Sequence, residues 1–250
     1  MSVNRPYRRT IRQFTDDEYA EGGRWKYIQH SKFAESPEHY IRAFLLIQKD
    51  LQQIFDFVEP ADGNLGCYSF RIHEIFLRAC VEVEVNCKAI LNENGYTRNR
   101  DLNMTDYKKI EQSHRLSSYS VKLPIWHGSK NERKPFISWS DPSSEKDSPP
   151  WYSDYHSIKH DRLANFEKAN LENMIDAVSG LVVLLSAQFW THDFTANAWL
   201  LSVGSNDEME SAIGDYFRIT FPDDWPDEER YDFDWQQLKT EDDPFQQYPY

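Results

Sequence analysis

The chain has 250 residues, 40% of them hydrophobic and 15% aromatic, enough to bury a sizeable core in one domain or one domain with appendages. Its formal net charge of -13 disfavours a general polyanion binder. The nine glycines form neither a Walker loop nor a dinucleotide fingerprint, there is no nucleophile elbow, and Cys67, Cys80 and Cys87 show no Cys-x-x-Cys spacing.

Residues 1–35 are polar and aromatic without a sustained period, and read as an arm lying on the domain. The arm begins with a basic stretch (Arg5, Arg8, Arg9, Arg12) that lacks the apolar run of a secretory signal. From Pro37 or its neighbours to about Val58, Tyr40, Phe44, Ile47, Leu51 and Ile54 recur at helical spacing. A second helix is expected from about Tyr68 to Leu91, stopped by Asn92-Glu93-Asn94-Gly95. A short one follows near residues 106–115, with Thr105 as its N-cap.

The pattern then changes. Residues 119–126 and 134–139 read as two short strands, and Pro124 and Pro135 suggest that both are edge strands. Residues 141–150 form a polar connector, and 151–161 a short helix after Pro149-Pro150. Asn170 caps a helix from Leu171 to about Phe189 that is apolar nearly all round, as a central core helix should be. A further strand is expected at 216–221. From Pro222 to Tyr250, ten acids stand against Arg230 and Lys239 alone. No apolar run reaches the roughly 20 residues needed to span a bilayer, so a cytoplasmic protein with no membrane partner is expected.

Two constellations carry chemistry. Arg71, Glu74, Arg78 and Glu82 form one stripe of alternating sign on the second helix, either a solvated face or a buried paired network. Lys159-His160-Asp161-Arg162 gathers titratable groups beside the core helix. His160 as general base, with Arg162 and Lys159 holding a phosphate, suits metal-free RNA cleavage. In that reading Glu74, Arg78, Glu82 and Asp161 are the supporting network. In the competing reading these charges only tie helix to helix. His156 and His160, four apart, share a helical face and could share a metal, but Ser157 stands where a zinc protease has Glu and no third ligand is evident. No metal and no cofactor are expected.

The segments Glu74…Leu77-Arg78-Ala79-Cys80-Val81-Glu82-Val83-Glu84, Tyr155-x-x-Ile158-Lys159-His160-Asp161-Arg162 and Phe166-x-x-Ala169-Asn170-Leu171-x-Asn173, followed by Ala177-x-x-Gly180-Leu181, resemble a group of bacterial proteins related to the HEPN superfamily. The resemblance covers roughly residues 68–190. It implies an antiparallel helical bundle of a toxin–antitoxin or phage-defence system, often dimeric, whose active members are metal-independent ribonucleases. Those members carry Arg and then His on one helix; here His160 precedes Arg162. Arg24 and His30 have the family's order and spacing, but in the polar arm.

The expected architecture is therefore mainly α: an HEPN-like antiparallel bundle over residues 36–190, a small β-hairpin insertion at about 117–140, and an irregular acidic C-terminal extension over 191–250. RNA is the expected partner, with a homodimer as the expected assembly. The alternative is a non-catalytic interaction subunit that binds a partner protein through its acidic extension.

Overall fold

A computed structural model describes residues 2–19, 21–141, 148–194 and 209–250. The connector expected at 141–150 lies mostly outside the described residues, as do residues 195–208 of the expected extension. The fold is mainly helical. Among the described residues the helices are α1 (Pro37–Phe55), α2 (Phe70–Glu93), α3 (Met104–Tyr107), α4 (Ile110–His114), α5 (Pro150–His160), α6 (Arg162–Asn165), α7 (Leu171–Phe189) and α8 (Trp235–Leu238). The strands are β1 (Ser120–Lys122), β2 (Glu132–Arg133), β3 (Glu210–Ser211) and β4 (Arg218–Thr220).

Helix α7 lies at the centre, with α2, α1, α5 and β1 packed around it. Its apolar residues on every side are therefore covered by protein, from Leu171 through Phe189. By length and composition alone α7 is a helix that could cross a membrane, and most of it is buried within the fold. The Asn170 side chain caps it, accepting from the Asn173 amide at 3.0 Å. Helix α2 lays Ile72, Phe76, Ala79, Cys80, Val83, Cys87 and Ile90 against this core at helical spacing. Its N-cap is Ser69, whose Oγ accepts from the Ile72 amide.

The expected helix at 106–115 is two short ones, and its N-cap is Asn103 rather than Thr105. Asp106 completes a capping box there. Burial alone would raise the Asp106 pKa. The Asn103 amide, Arg100 and the Tyr96 hydroxyl outweigh it and lower it to about 2.

The sheet is antiparallel in the order β2-β1-β4-β3, with Val121 opposite both Arg133 and Ile219. Strand β1 is thus internal, not an edge. Pro124 and Pro135 lie just outside the paired residues, so their missing N–H groups remove no ladder bond. The run 134–139 is not a strand: pairing ends at Arg133 and Ile137–Trp139 is a 3-10 turn.

The two ends of the chain fold together. Val3 and Phe14 form parallel bridges with Tyr231, and Tyr7 with Gln246. Acids of the C-terminal segment meet the basic arm: Glu241 pairs with Arg5 and Asp243 with Arg8, each at 2.6 Å. Arg9 is fully buried, donating to Glu93 at 2.6 Å, to Gln188 at 2.9 Å and to the Glu35 carbonyl at 2.8 Å. Gln188 in turn donates to the buried Asn86. Arg12 sits among the rings of Tyr7, Trp225 and Tyr248, at 4.7–5.4 Å from their centroids. His114 Nε2 donates to the Arg9 carbonyl at 2.9 Å, and its Nδ1 faces Ser113 Oγ, which also meets the Tyr250 hydroxyl. Arg24 and His30 belong to this structural layer: Arg24 pairs with Asp16, and His30 packs on Trp235 and Phe245.

Candidate functional site

Helix α5 is anchored by one face. Trp151, Tyr155 and Ile158 are buried, and the Trp151 indole N–H donates to the Pro135 carbonyl at 2.9 Å. Trp151 can approach α7 closely because residue 180 is glycine: a Cβ there would sit 3.1 Å from the indole ring. Tyr152 donates to Glu84 on α2 at 2.8 Å. With these contacts setting the helix, its other face turns His156, Lys159 and His160 to solvent.

Asp161 breaks the chain between α5 and α6. Its carboxylate accepts from the Ala164 amide at 3.1 Å and so serves as the N-cap of α6. Arg162, at the first position of α6, extends over the Phe70 ring at 5.7 Å. Lys159 lies 5.6 Å from the Tyr155 ring centroid. Among the described residues Lys159, His160 and Arg162 make no ion pair with any carboxylate.

Lys159, His160 and Arg162 border a groove of about 570 Å³ between α2 and the α5–α6 corner. Its apolar floor and walls include Leu77, Val81, Tyr155 and Ile158. His73 also faces it, with its ring 5.6 Å from Phe166. Burial, and then the nearby charge of Arg162, lower the His73 pKa and hold the imidazole neutral at pH 7. Leu163, on the groove lining, is 89% exposed, and Phe70, beneath Arg162, is 65% exposed, so uncovered apolar surface adjoins these cations.

Of the expected supporting network, Asp161 borders the groove and the rest lies elsewhere. Arg71 and Glu74 pair with each other at 2.9 Å, and Arg78 pairs with Asp50 on α1. Arg71, Glu74 and Arg78 line a second groove, between α1 and α2, while Glu82 borders a third beside Tyr40. Burial raises the Glu82 pKa, with Arg78 opposing it. The structure does not bring stripe and cluster together. Helical phase explains the separation: His73, Leu77 and Val81 follow one face of α2, while Arg71, Glu74, Arg78 and Glu82 follow the flank turned towards α1. Of the predicted residues, Lys159, His160 and Arg162 share one site, Asp161 caps a helix beside it, and Glu74, Arg78 and Glu82 stand apart.

His73 and Phe70 carry no such signal in the sequence. A single histidine among the apolar positions of a core helix looks like any other core residue, and only the docking of α5 and α6 places it beside the cations.

No group of three or more His, Cys, Asp and Glu side chains able to hold a metal ion occurs among the described residues. No protein-family model, curated protein or solved structure matches the chain.

Proposed function

We propose that the groove between α2 and α5 is an RNA site and that the protein cleaves RNA without a metal, in the bacterial defence or stress setting that its likeness to HEPN proteins implies. One observation carries this reading: Lys159, His160 and Arg162 stand together, exposed and without carboxylate partners among the described residues, on the rim of an apolar groove. Charges that served only to tie helices together would be paired, as Arg78 is with Asp50.

In the proposed reaction His160 accepts the proton of a ribose 2′-hydroxyl, whose oxygen attacks the adjacent phosphorus. Arg162 and Lys159 bind the phosphate oxygens and stabilise their charge in the pentavalent transition state. The 5′-oxygen leaves with a proton from solvent and a cyclic phosphate remains. His73, neutral on the groove wall, supplies a second imidazole beside the bound phosphate. Exposed Phe70 offers a face on which a base can stack.

The test is cleavage of an end-labelled RNA by the full chain in EDTA, alongside His160→Ala and Arg162→Ala, with circular dichroism on all three. The expected result is cleavage by the wild type, loss of roughly 100-fold or more in each variant, and unchanged folding. A 2′-deoxy substitution at the cut site should also block the reaction. Absence of cleavage by the wild type would refute the proposal.

A further inference from the structure

His156 and His160 face each other across one turn of α5. Their Nε2 atoms are 3.2 Å apart, and the ring centroids 4.4 Å apart at an interplanar angle of 57°. Both side chains are exposed, and neither ring is paired with a carboxylate among the described residues. Two imidazole nitrogens at 3.2 Å, each about 2.0–2.1 Å from a common ion, subtend roughly 100° at that ion. That angle lies between square-planar and tetrahedral values. The separation does not depend on a mobile loop, because Trp151, Tyr155 and Ile158 anchor the opposite face of the same helix.

The geometry points to a two-histidine chelate for a late first-row divalent ion, Zn²⁺, Ni²⁺ or Cu²⁺, on the outer face of α5. Imidazole suits these ions, whereas Mg²⁺ and Ca²⁺ require oxygen ligands that this face does not converge. Two protein ligands leave the remaining coordination positions to water. The ion is therefore held reversibly and far more weakly than in a closed four-ligand site.

The ion also occupies one imidazole nitrogen of His160. Resting on the RNA reading above, this makes the site inhibitory: the lone pair that would accept the 2′-hydroxyl proton is engaged by the metal. The chelate and the groove meet at that single residue, so metal occupancy and RNA cleavage exclude each other.

Isothermal titration calorimetry of the full chain with ZnCl₂, with MgCl₂ as control, tests the site without RNA. One Zn²⁺ per chain is expected, with no Mg²⁺ heat. Affinity should fall by at least the roughly 10–100-fold associated with losing even an outer-shell partner, in both His156→Ala and His160→Ala. Cys67→Ser, which removes an exposed thiol, should bind like the wild type. Zinc binding that survives His156→Ala, or no binding by the wild type at millimolar Zn²⁺, overturns the proposal.

For regulation, Zn²⁺ should stop RNA cleavage by the wild type and EDTA should restore it. His156→Ala should cleave equally well with or without Zn²⁺. A protein that titrates as expected but cleaves no RNA loses the RNA reading and keeps the ion site. One that cleaves RNA but fails the titration does the reverse.

Discussion

Two groups of basic side chains in the protein are treated in opposite ways. Where the ends of the chain meet, Arg9 and Arg12 are buried. Arg9 has Glu93, Gln188 and a carbonyl; Arg12 has two carbonyls and three aromatic rings. At the α5–α6 corner, Lys159, His160 and Arg162 are exposed and lack carboxylate partners among the described residues. Burying a charge costs several kcal/mol unless it is paired, so the first cluster must be structural. An exposed, unpaired cluster has no such requirement and adds nothing to the core. Its charges remain available to a ligand.

Removing one buried cation should have the largest effect. Arg9→Met leaves Glu93 facing the interior and Gln188 short of a donor, and the expected loss is about 3–5 kcal/mol of stability. Chemical denaturation of the full chain measures it. A change under about 1 kcal/mol would mean that the two ends of the chain are not a cooperative part of the fold.

Acid should act on the same layer through His114, whose pKa burial lowers to about 3, with the Arg9 carbonyl opposing and Arg12 adding to the shift. Below about pH 6.5 the unfolded chain takes a proton that the folded His114 refuses. Stability is therefore complete above that pH and falls by about 1.4 kcal/mol per pH unit on the way down to about 3. Stability curves between pH 7 and 4 should be steeper by this amount for the wild type than for His114→Gln. Parallel curves would show that His114 is protonated within the fold.

The two regions also differ in how legible they are in the sequence. Helices α1, α2 and α7 follow from apolar periodicity, and the Asn170 cap from its position before an uncharged run, because these signals are local. Lys159, His160 and Arg162 are readable as a cluster for the same reason. Their surroundings are not. The alternation of Arg71, Glu74, Arg78 and Glu82 shows that they share a flank of α2, but which neighbour that flank meets depends on how α1 and α5 dock. The arm reveals even less. Arg9 and Arg12 read only as members of a basic stretch, since the groups that accept their hydrogen bonds lie from 26 to 217 residues away in sequence. The small sheet is half legible: β1 and β4 lie within expected strands, but their antiparallel pairing joins segments about a hundred residues apart.

A change at the seam between the two regions should have an intermediate effect. Gly180→Ala puts a methyl group 3.1 Å from the Trp151 ring and within 3.6 Å of Phe136. Overpacking of this kind costs about 1–3 kcal/mol. Because Trp151 anchors α5, the shift should also weaken RNA binding at the far end of that helix, whereas Arg9→Met should lower stability while leaving the binding of the folded protein unchanged. Titration of a labelled RNA at a temperature where both variants remain folded separates the two outcomes.

The smallest expected effect on stability is the most informative about function. Lys159→Ala with Arg162→Ala removes two exposed cations whose neighbours are the rings of Tyr155 and Phe70. Surface substitutions of this kind usually shift stability within about 0.5 kcal/mol each. The same double change should weaken RNA binding at least tenfold and reduce its salt dependence by about 1.4 in slope, roughly 0.7 for each phosphate of a single strand left without its cation. A structural role predicts the reverse pattern, with stability falling and binding unchanged. Unaltered stability with an unaltered salt slope would instead leave the cluster without a role in RNA binding, and place any RNA contact away from the α5–α6 corner.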